Sequence, residues 1–260
     1  MDSDLSIGYA FATVEAMILK NQPLVQQIYD LEEPVVIVNQ FHSSRIPQNY
    51  FKSNVTVINS TERGISRSRN LAFKHLNTSI AMICDDDIEL IGDGIKALKR
   101  TIPTQPQVAL WATQLATNRG KPWRDNYESA AFSMQGSSFN HLRRIQRINS
   151  MEQVYNLDFI KKNAIHFNSA FGAGSGKYIV GEETLVSAAI LERGGEVRYV
   201  PIVTRAHPHI SSGQKFTPAH IRSVLATQIR IFGVAFFIPF TGYLLKSIIR
   251  KVTQVVSNAQ

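Results

Sequence analysis

Apolar residues gather in short continuous runs through the first third of the chain, at residues 7–14, 35–38, 55–58 and 80–84, and the runs are rich in β-branched and aromatic types. Between them, apolar positions recur every three or four residues, notably over 16–29 and 68–76. The runs predict strands and the periodic stretches predict helices. Their alternation predicts an α/β fold with a mostly parallel sheet flanked by helices. Strands covered on both faces lose the in-out alternation of half-buried ones, and Pro34-Val-Val-Ile-Val38 has that continuous character. In such sheets, ligands bind at the C-terminal ends of the strands.

Past Asp87 the pattern is less regular. Residues 95–100 predict a helix, 108–113 and 197–203 predict strands, and 117–138 is polar and rich in turn formers. From Lys215 onward the character changes to a long helix-compatible stretch. Residues 231–245 carry no charge and are flanked by Arg222, Arg230, Lys246, Arg250 and Lys251. A spanning helix needs about 20 apolar residues. This run is shorter and holds Gly233, Pro239 and Gly242, so it reads as an interfacial segment. The chain is therefore expected to divide at residue 214, with 215–260 an appended helical tail that either associates with a membrane or packs against the main domain. No fixed-period repeat is present, which excludes solenoids and propellers.

At 260 residues and 44% hydrophobic, the chain can bury a full core as one main domain. A net charge of +8 favours anionic partners without choosing among them. The single cysteine, Cys84, excludes an internal disulfide framework and fits a reducing compartment. Asp2 and Asp4 stand where an export signal would be basic. A cytoplasmic protein, peripheral on the inner face of the membrane, is expected.

The candidate chemistry lies in four segments. In Ile80-Ala-Met-Ile-Cys-Asp-Asp-Asp-Ile88 an apolar strand runs into three adjacent carboxylates, whose repulsion a divalent cation such as Mg²⁺ or Mn²⁺ would relieve. It is no EF-hand, because the sixth position holds Leu90 instead of glycine. In Glu62-Arg-Gly-Ile-Ser-Arg-Ser-Arg-Asn70, glycine, serines and arginines precede a helix, a setting suited to anions. Gly172-Ala-Gly-Ser-Gly-Lys-Tyr-Ile-Val-Gly-Glu-Glu-Thr184 is glycine-rich and ends in paired glutamates at a helix start. It fails as a P-loop, having Phe171 at the first glycine position and Tyr178 at the hydroxyl position. Thr204-Arg-Ala-His-Pro-His-Ile-Ser-Ser-Gly213 places two histidines after a strand. Taken singly, these segments also fit a solvated acidic turn, a capped helix, an acidic first turn complementing the helix dipole, and ordinary loop histidines.

In order and spacing, the segments resemble the family two glycosyltransferases of the GT-A, Rossmann-like fold, over roughly residues 5–213. The resemblance implies an inverting transfer from a nucleotide-sugar donor, with a UDP-sugar first in line, to a glycan or lipid-linked acceptor in bacterial cell-surface polysaccharide synthesis. It assigns residues 1–214 as the catalytic domain. Asp85 and Asp87 match the outer positions of the DxD motif, with Asp87 the direct metal ligand, Asp85 on ribose or metal and Asp86 between them. His207, in preference to His209, completes the metal shell. Gly64, Arg67, Arg69 and Asn70 match the donor-contacting segment, with Ala10, Phe11 and Thr13 at the end of the first strand. Asn39 and Gln40 stand where many members carry a base-binding aspartate. Glu182 and Glu183 match the "ED" motif, with glutamate replacing its aspartate, and Glu183 is the expected base.

Two other readings exist. Nucleotidyl transfer on the same fold would leave Glu182-Glu183 without a role. A non-catalytic basic module for nucleic acid or lipid would leave the carboxylates without one. No nucleic-acid partner is expected.

Overall fold

The computed structural model describes residues 6–207 and 217–245. Nine strands form one sheet: β1 (Ile7–Val14), β2 (Val35–Gln40), β3 (Val55–Ser60), β4 (Ile80–Asp85), β5 (Glu89–Leu90), β6 (Val108–Thr117), β7 (Phe132–Gln135), β8 (Gln153–Asn156) and β9 (Glu196–His207). Helices are α1 (Gln22–Asp30), α2 (Ile65–His75), α3 (Gly92–Thr101), α4 (Phe139–Ile145), α5 (Leu157–Lys162), α6 (Glu182–Glu192) and α7 (Pro218–Phe232). The expected α/β class with a mixed, largely parallel sheet is the one observed.

The strand order is β3-β2-β1-β4-β8-β6-β9-β5, with β7 pairing to β9. β1 to β4 are mutually parallel, and β8 runs antiparallel to both β4 and β6. The chain leaves β1 in one direction to build β2 and β3, then returns to place β4 on the other side of β1. This reversal between β1 and β4 opens a crevice at their C-terminal ends, where ligands bind in open α/β sheets. β1, β2 and β4 are buried along almost their whole length, and their side chains form the centre of a single core.

Several elements differ from the sequence expectation for local reasons. The helix expected over 16–29 is interrupted. Glu15 and Ala16 take positive φ, a short 3-10 turn follows at Met17–Lys20, and α1 starts afresh with Asn21 as its cap, accepting from the Leu24 amide. α2 starts three residues before the expected 68, at Ile65, after its cap Gly64 with φ 117°. β2, β6 and β9 extend past their apolar runs through Gln40, Thr117 and His207, because polar residues continue the ladder where the strands approach the crevice. β7 lies inside the polar, turn-rich stretch 117–138, whose pattern predicts no particular element.

α7 is capped by Thr217 and packs against α6 and α4 through Ser223, Ala226, Thr227 and Ile231, among other buried residues. It ends at Gly233, φ 55°, after which residues 237–245 are again helical. The apolar stretch Pro218–Leu245 spans 28 residues and is long and apolar enough, by length and composition only, to cross a membrane. Asp2, Asp4, His209, Lys215, Lys246, Arg250 and Lys251 lie outside the described residues.

Candidate active site

At the C-terminal ends of β1 and β4 lies a cleft of about 410 Å³. One rim is acidic. Asp85 ends β4 beside Ala12 of β1, and Asp86 and Asp87 turn away from the sheet behind it. Each carboxylate has its own partner. The Thr13 hydroxyl donates to Asp86 Oδ2 at 2.5 Å and accepts from the Ile18 amide at 3.0 Å. His207, at the end of β9, places Nε2 3.2 Å from Asp87 Oδ1. Burial pushes the Asp85 and Asp86 carboxyls up, while the hydrogen bond from His207 holds Asp87 below the ordinary carboxylate range.

Asp85, Asp87 and His207 each offer one ligand atom, all within 4.8 Å of one another. Two carboxylate oxygens and one imidazole nitrogen fit a divalent cation such as Mn²⁺ or Mg²⁺, with further positions left for water or phosphate oxygens.

The second acidic group is the first turn of α6. Gly181, at φ 104°, reverses the chain so that Glu182 and Glu183 head the helix. A Cβ on Gly181 would come within 2.2 Å of Thr227 Oγ1, so both the turn and the contact with α7 require glycine. Glu182 is buried and receives Arg69 Nη1 at 2.8 Å, while Arg69 Nη2 stands 3.5 Å from Asp85 Oδ1. Arg69 thus ties the end of β4 to the start of α6, with its guanidinium over the Phe167 ring. Glu183 is half-buried in the cleft, and burial together with the neighbouring Glu182 pushes its carboxyl up to about 8. The helix start favours negative charge there, which partly offsets that burial.

Glycine also explains how α2 meets the loop before α6. The Gly64 amide donates to Gln40 Oε1 at 2.7 Å, the Ile65 amide donates to the Ala173 carbonyl at 2.9 Å, and the Gly174 backbone lies against Gly64. A Cβ on Gly174 would stand 3.3 Å from the Gly64 backbone and press the two segments apart, while at Gly64 the φ of 117° is what favours glycine.

A third wall had no counterpart in the sequence reading. Leu115, Trp123, Asn149, Ser150 and Met151 also line the cleft, and Trp123 meets the His207 ring edge-on at 5.1 Å between centroids. Beneath this wall, fully buried Glu152 accepts from Arg124 Nη2 at 3.1 Å, from the Tyr127 hydroxyl and from the Asn149 amide at 2.8 Å, joining the 123–127 and 149–152 loops. Arg205, fully buried within β9, donates to the Ile83 carbonyl at 2.7 Å and so braces β4 just before its acidic end. The one sequence signal for these residues is Arg205, which directly follows the apolar run 199–203 and Thr204 in β9; the loop residues give none.

The structure brings together Thr13, Gln40, Arg69, Asp85, Asp86, Asp87, Glu182, Glu183 and His207 on the cleft. The other expected residues stand off its lining. Ala10 and Phe11 are core residues of β1. Asn39 is buried, with its side chain bonded to the Ala16 amide, the Ser44 carbonyl and Asn59. Asn70 is paired reciprocally with the backbone of Phe167. Arg67 is exposed, next to Glu62 at 3.6 Å, on a separate groove. Gly64 acts through backbone contacts alone.

No protein-family model matches the chain, and no curated protein matches it in sequence. Its fold is similar to that of crystal structures of S. aureus TarS 1–349, alone (TM-score 0.61, 14% identity), with UDP (0.62, 14%) and with UDP-GlcNAc (0.60, 14%), each alignment covering 88% of this chain. The chain spans 66% of that TarS fragment in the ligand-free structure. The sheet and its helices accordingly form a GT-A fold.

Proposed function

We propose that the chain is a metal-dependent, inverting glycosyltransferase of the family two type, moving a sugar from a nucleoside-diphosphate donor to a hydroxyl of a glycan or lipid-linked acceptor. The observation that carries the reading is the pair of acidic groups on one cleft, one with the atoms of a cation site and the other with a carboxyl raised towards neutrality. Groups with such divergent environments divide acid, base and metal roles between them. On this reading residues 1–214 are the catalytic domain and 215–260 the appended segment. TarS structures hold UDP and UDP-GlcNAc, which makes UDP the first nucleotide to test.

Asp85, Asp87 and His207 would hold the cation. A cation held there neutralises the charge of the departing diphosphate. Thr13 keeps Asp86 turned to β1, and Gln40 lies on the cleft beside the donor-binding strands. Glu183 takes the proton of the acceptor hydroxyl as that oxygen bonds to the anomeric carbon. The bond from that carbon to the diphosphate breaks with its electron pair leaving on the nucleoside diphosphate. Arg69 holds Glu182 in place, and Glu182 keeps the neighbouring carboxyl basic.

The test is thermal unfolding of the purified chain with UDP, GDP, dTDP or CMP in Mn²⁺, Mg²⁺ or EDTA, beside Asp87→Ala. The expected result is stabilisation by one nucleotide only with metal, lost in the variant. Stabilisation by none under any metal overturns donor binding. NMR of the product anomer then tests inversion.

A further inference from the structure

The C-terminal helical stretch presents its apolar side to solvent. Val234 is 90% exposed, Phe237 57% and Leu245 62%, with Ile238 exposed as well. Phe237, Ile238, Thr241 and Leu245 recur at i, i+1, i+4 and i+8, which places them on one helix face. Phe236, Phe240 and Tyr243 lie half-buried behind it and contact one another through their rings. A helix packed on a soluble body has the opposite polarity, apolar side inward.

Length decides between crossing a bilayer and lying on one. The first half of the apolar stretch is engaged with the body: Ser223, Thr227 and Ile231 are buried, and Gln228 Nε2 donates to Gln146 Oε1 at 2.8 Å. From Gly233 to Leu245 a helix would extend roughly 20 Å, short of the ~30 Å hydrocarbon core. In the sequence, Lys246 ends the apolar run. Charge decides which surface. After Glu196 the sequence has no aspartate or glutamate, while Arg222 and Arg230 are exposed on α7 and Arg250 and Lys251 follow in the sequence. Basic residues flanking an apolar helix face complement anionic headgroups.

We infer that this chain docks on an anionic phospholipid bilayer through the face formed by Val234, Phe237, Ile238 and Leu245, lying in the interface rather than spanning it. The docked segment continues from the helix that holds the catalytic loop. Ser223 Oγ accepts from the Ile179 amide at 2.8 Å, Arg222 donates to the Lys177 carbonyl at 2.5 Å, and Thr227 closes on Gly181. Ile179 and Val180 of that loop and Glu182 and Glu183 at the start of α6 line the cleft. The acceptor class this implies, a saccharide carried on a lipid, rests on the glycosyltransferase reading; the docking does not.

The test is co-sedimentation of the full chain with extruded vesicles of phosphatidylcholine alone or mixed with phosphatidylglycerol, at low and high salt. Binding is expected to the mixed vesicles, weakened by salt, and reduced about tenfold or more by the double substitution F237E/I238E. Val234→Glu, at a site too exposed to disturb packing, is expected to weaken binding in the same direction. Failure of the wild-type chain to sediment, or equal binding by wild type and both variants, overturns the inference. So does a dimer in light scattering that F237E/I238E converts to monomer without any vesicle binding, since a second copy would then cover the face. Nucleotide-dependent thermal shifts of the same variants separate failure of docking from failure of the donor reading.

Discussion

The end of β4 and the first turn of α6 carry the same chemistry in sequence, adjacent carboxylates after an apolar or glycine-rich run, and the fold gives Asp87 and Glu183 opposite environments. Asp87 is more than half exposed, and a hydrogen bond from His207 holds its carboxyl down, so it keeps its charge. Glu183 is set into the cleft beside buried Glu182, and its carboxyl rises to about 8. The first arrangement suits a group that must stay ionised against a cation. The second suits one that must gain and lose a proton near neutral pH. Sequence alone cannot separate them, because the difference comes from His207 of β9 beside Asp87 and from the burial of Glu183 next to Glu182.

Arg69 is the link whose removal breaks the comparison most severely. Arg69→Ala leaves Glu182 and Asp85 without their shared cation, and deleting one partner of a buried pair costs about 3–5 kcal/mol. A urea unfolding midpoint unchanged from wild type would show that the two acidic regions are independent.

Next in size is the proton-handling side. Glu183→Gln is expected to lower transfer by roughly 10²- to 10⁴-fold while leaving the metal-dependent nucleotide shift in place. In the wild type the active form is the deprotonated one, so the rate should rise with pH through about 8, and the substitution should remove that limb. Stability moves the other way. The folded carboxyl lies above its ordinary 4.5, so its contribution is complete below that value and is lost as pH rises towards 8. Glu183→Gln should therefore gain in melting temperature relative to wild type on going from acid to alkaline buffer. A flat difference would mean that folding leaves the Glu183 carboxyl at its ordinary value, contrary to its buried place beside Glu182.

On the β4 side, Thr13→Val removes the donor to Asp86 and the acceptor for the Ile18 amide and should cost about 1–3 kcal/mol, read as a urea midpoint shift. No loss would mean that the acidic turn is held by its backbone alone.

β1, β2 and β4 were legible because strands buried on both faces leave continuous apolar runs, and edge strand β3 because of its β-branched run 55–58; their boundaries differ from expectation mainly where Asn39, Gln40, Asn59, Ser60 and Asp85 carry the ladder into the crevice. β8 was not, since Gln153-Val-Tyr-Asn156 is four residues of mixed polarity whose strand state depends on β4 and β6 on either side. α6 is buried on several sides, so periodicity could not find it, whereas Gly181-Glu-Glu marked its start. The same contrast holds within the site. Asp85–Asp87 and Glu182–Glu183 stand out as charges against apolar or glycine-rich sequence. Trp123 and Asn149–Met151 reach the cleft only because Glu152, Arg124 and Tyr127 join distant loops underneath.

The smallest effect gives the sharpest comparison, because Arg67 and Arg69 look alike in the sequence and differ only in where a helix turns them. Two positions apart on α2 they point to different sides: Arg69 into the buried contact with Glu182, Arg67 outward to Glu62 and the Arg63 carbonyl. An exposed ion pair of this kind contributes about 0–1 kcal/mol. Arg67→Ala should therefore leave the urea midpoint within about 0.5 kcal/mol of wild type and nucleotide affinity within about twofold. A larger loss of nucleotide affinity, with stability unchanged, would mean that Arg67 swings from its groove to the donor, and the donor contact would then be shared by both arginines rather than confined to the cleft lining.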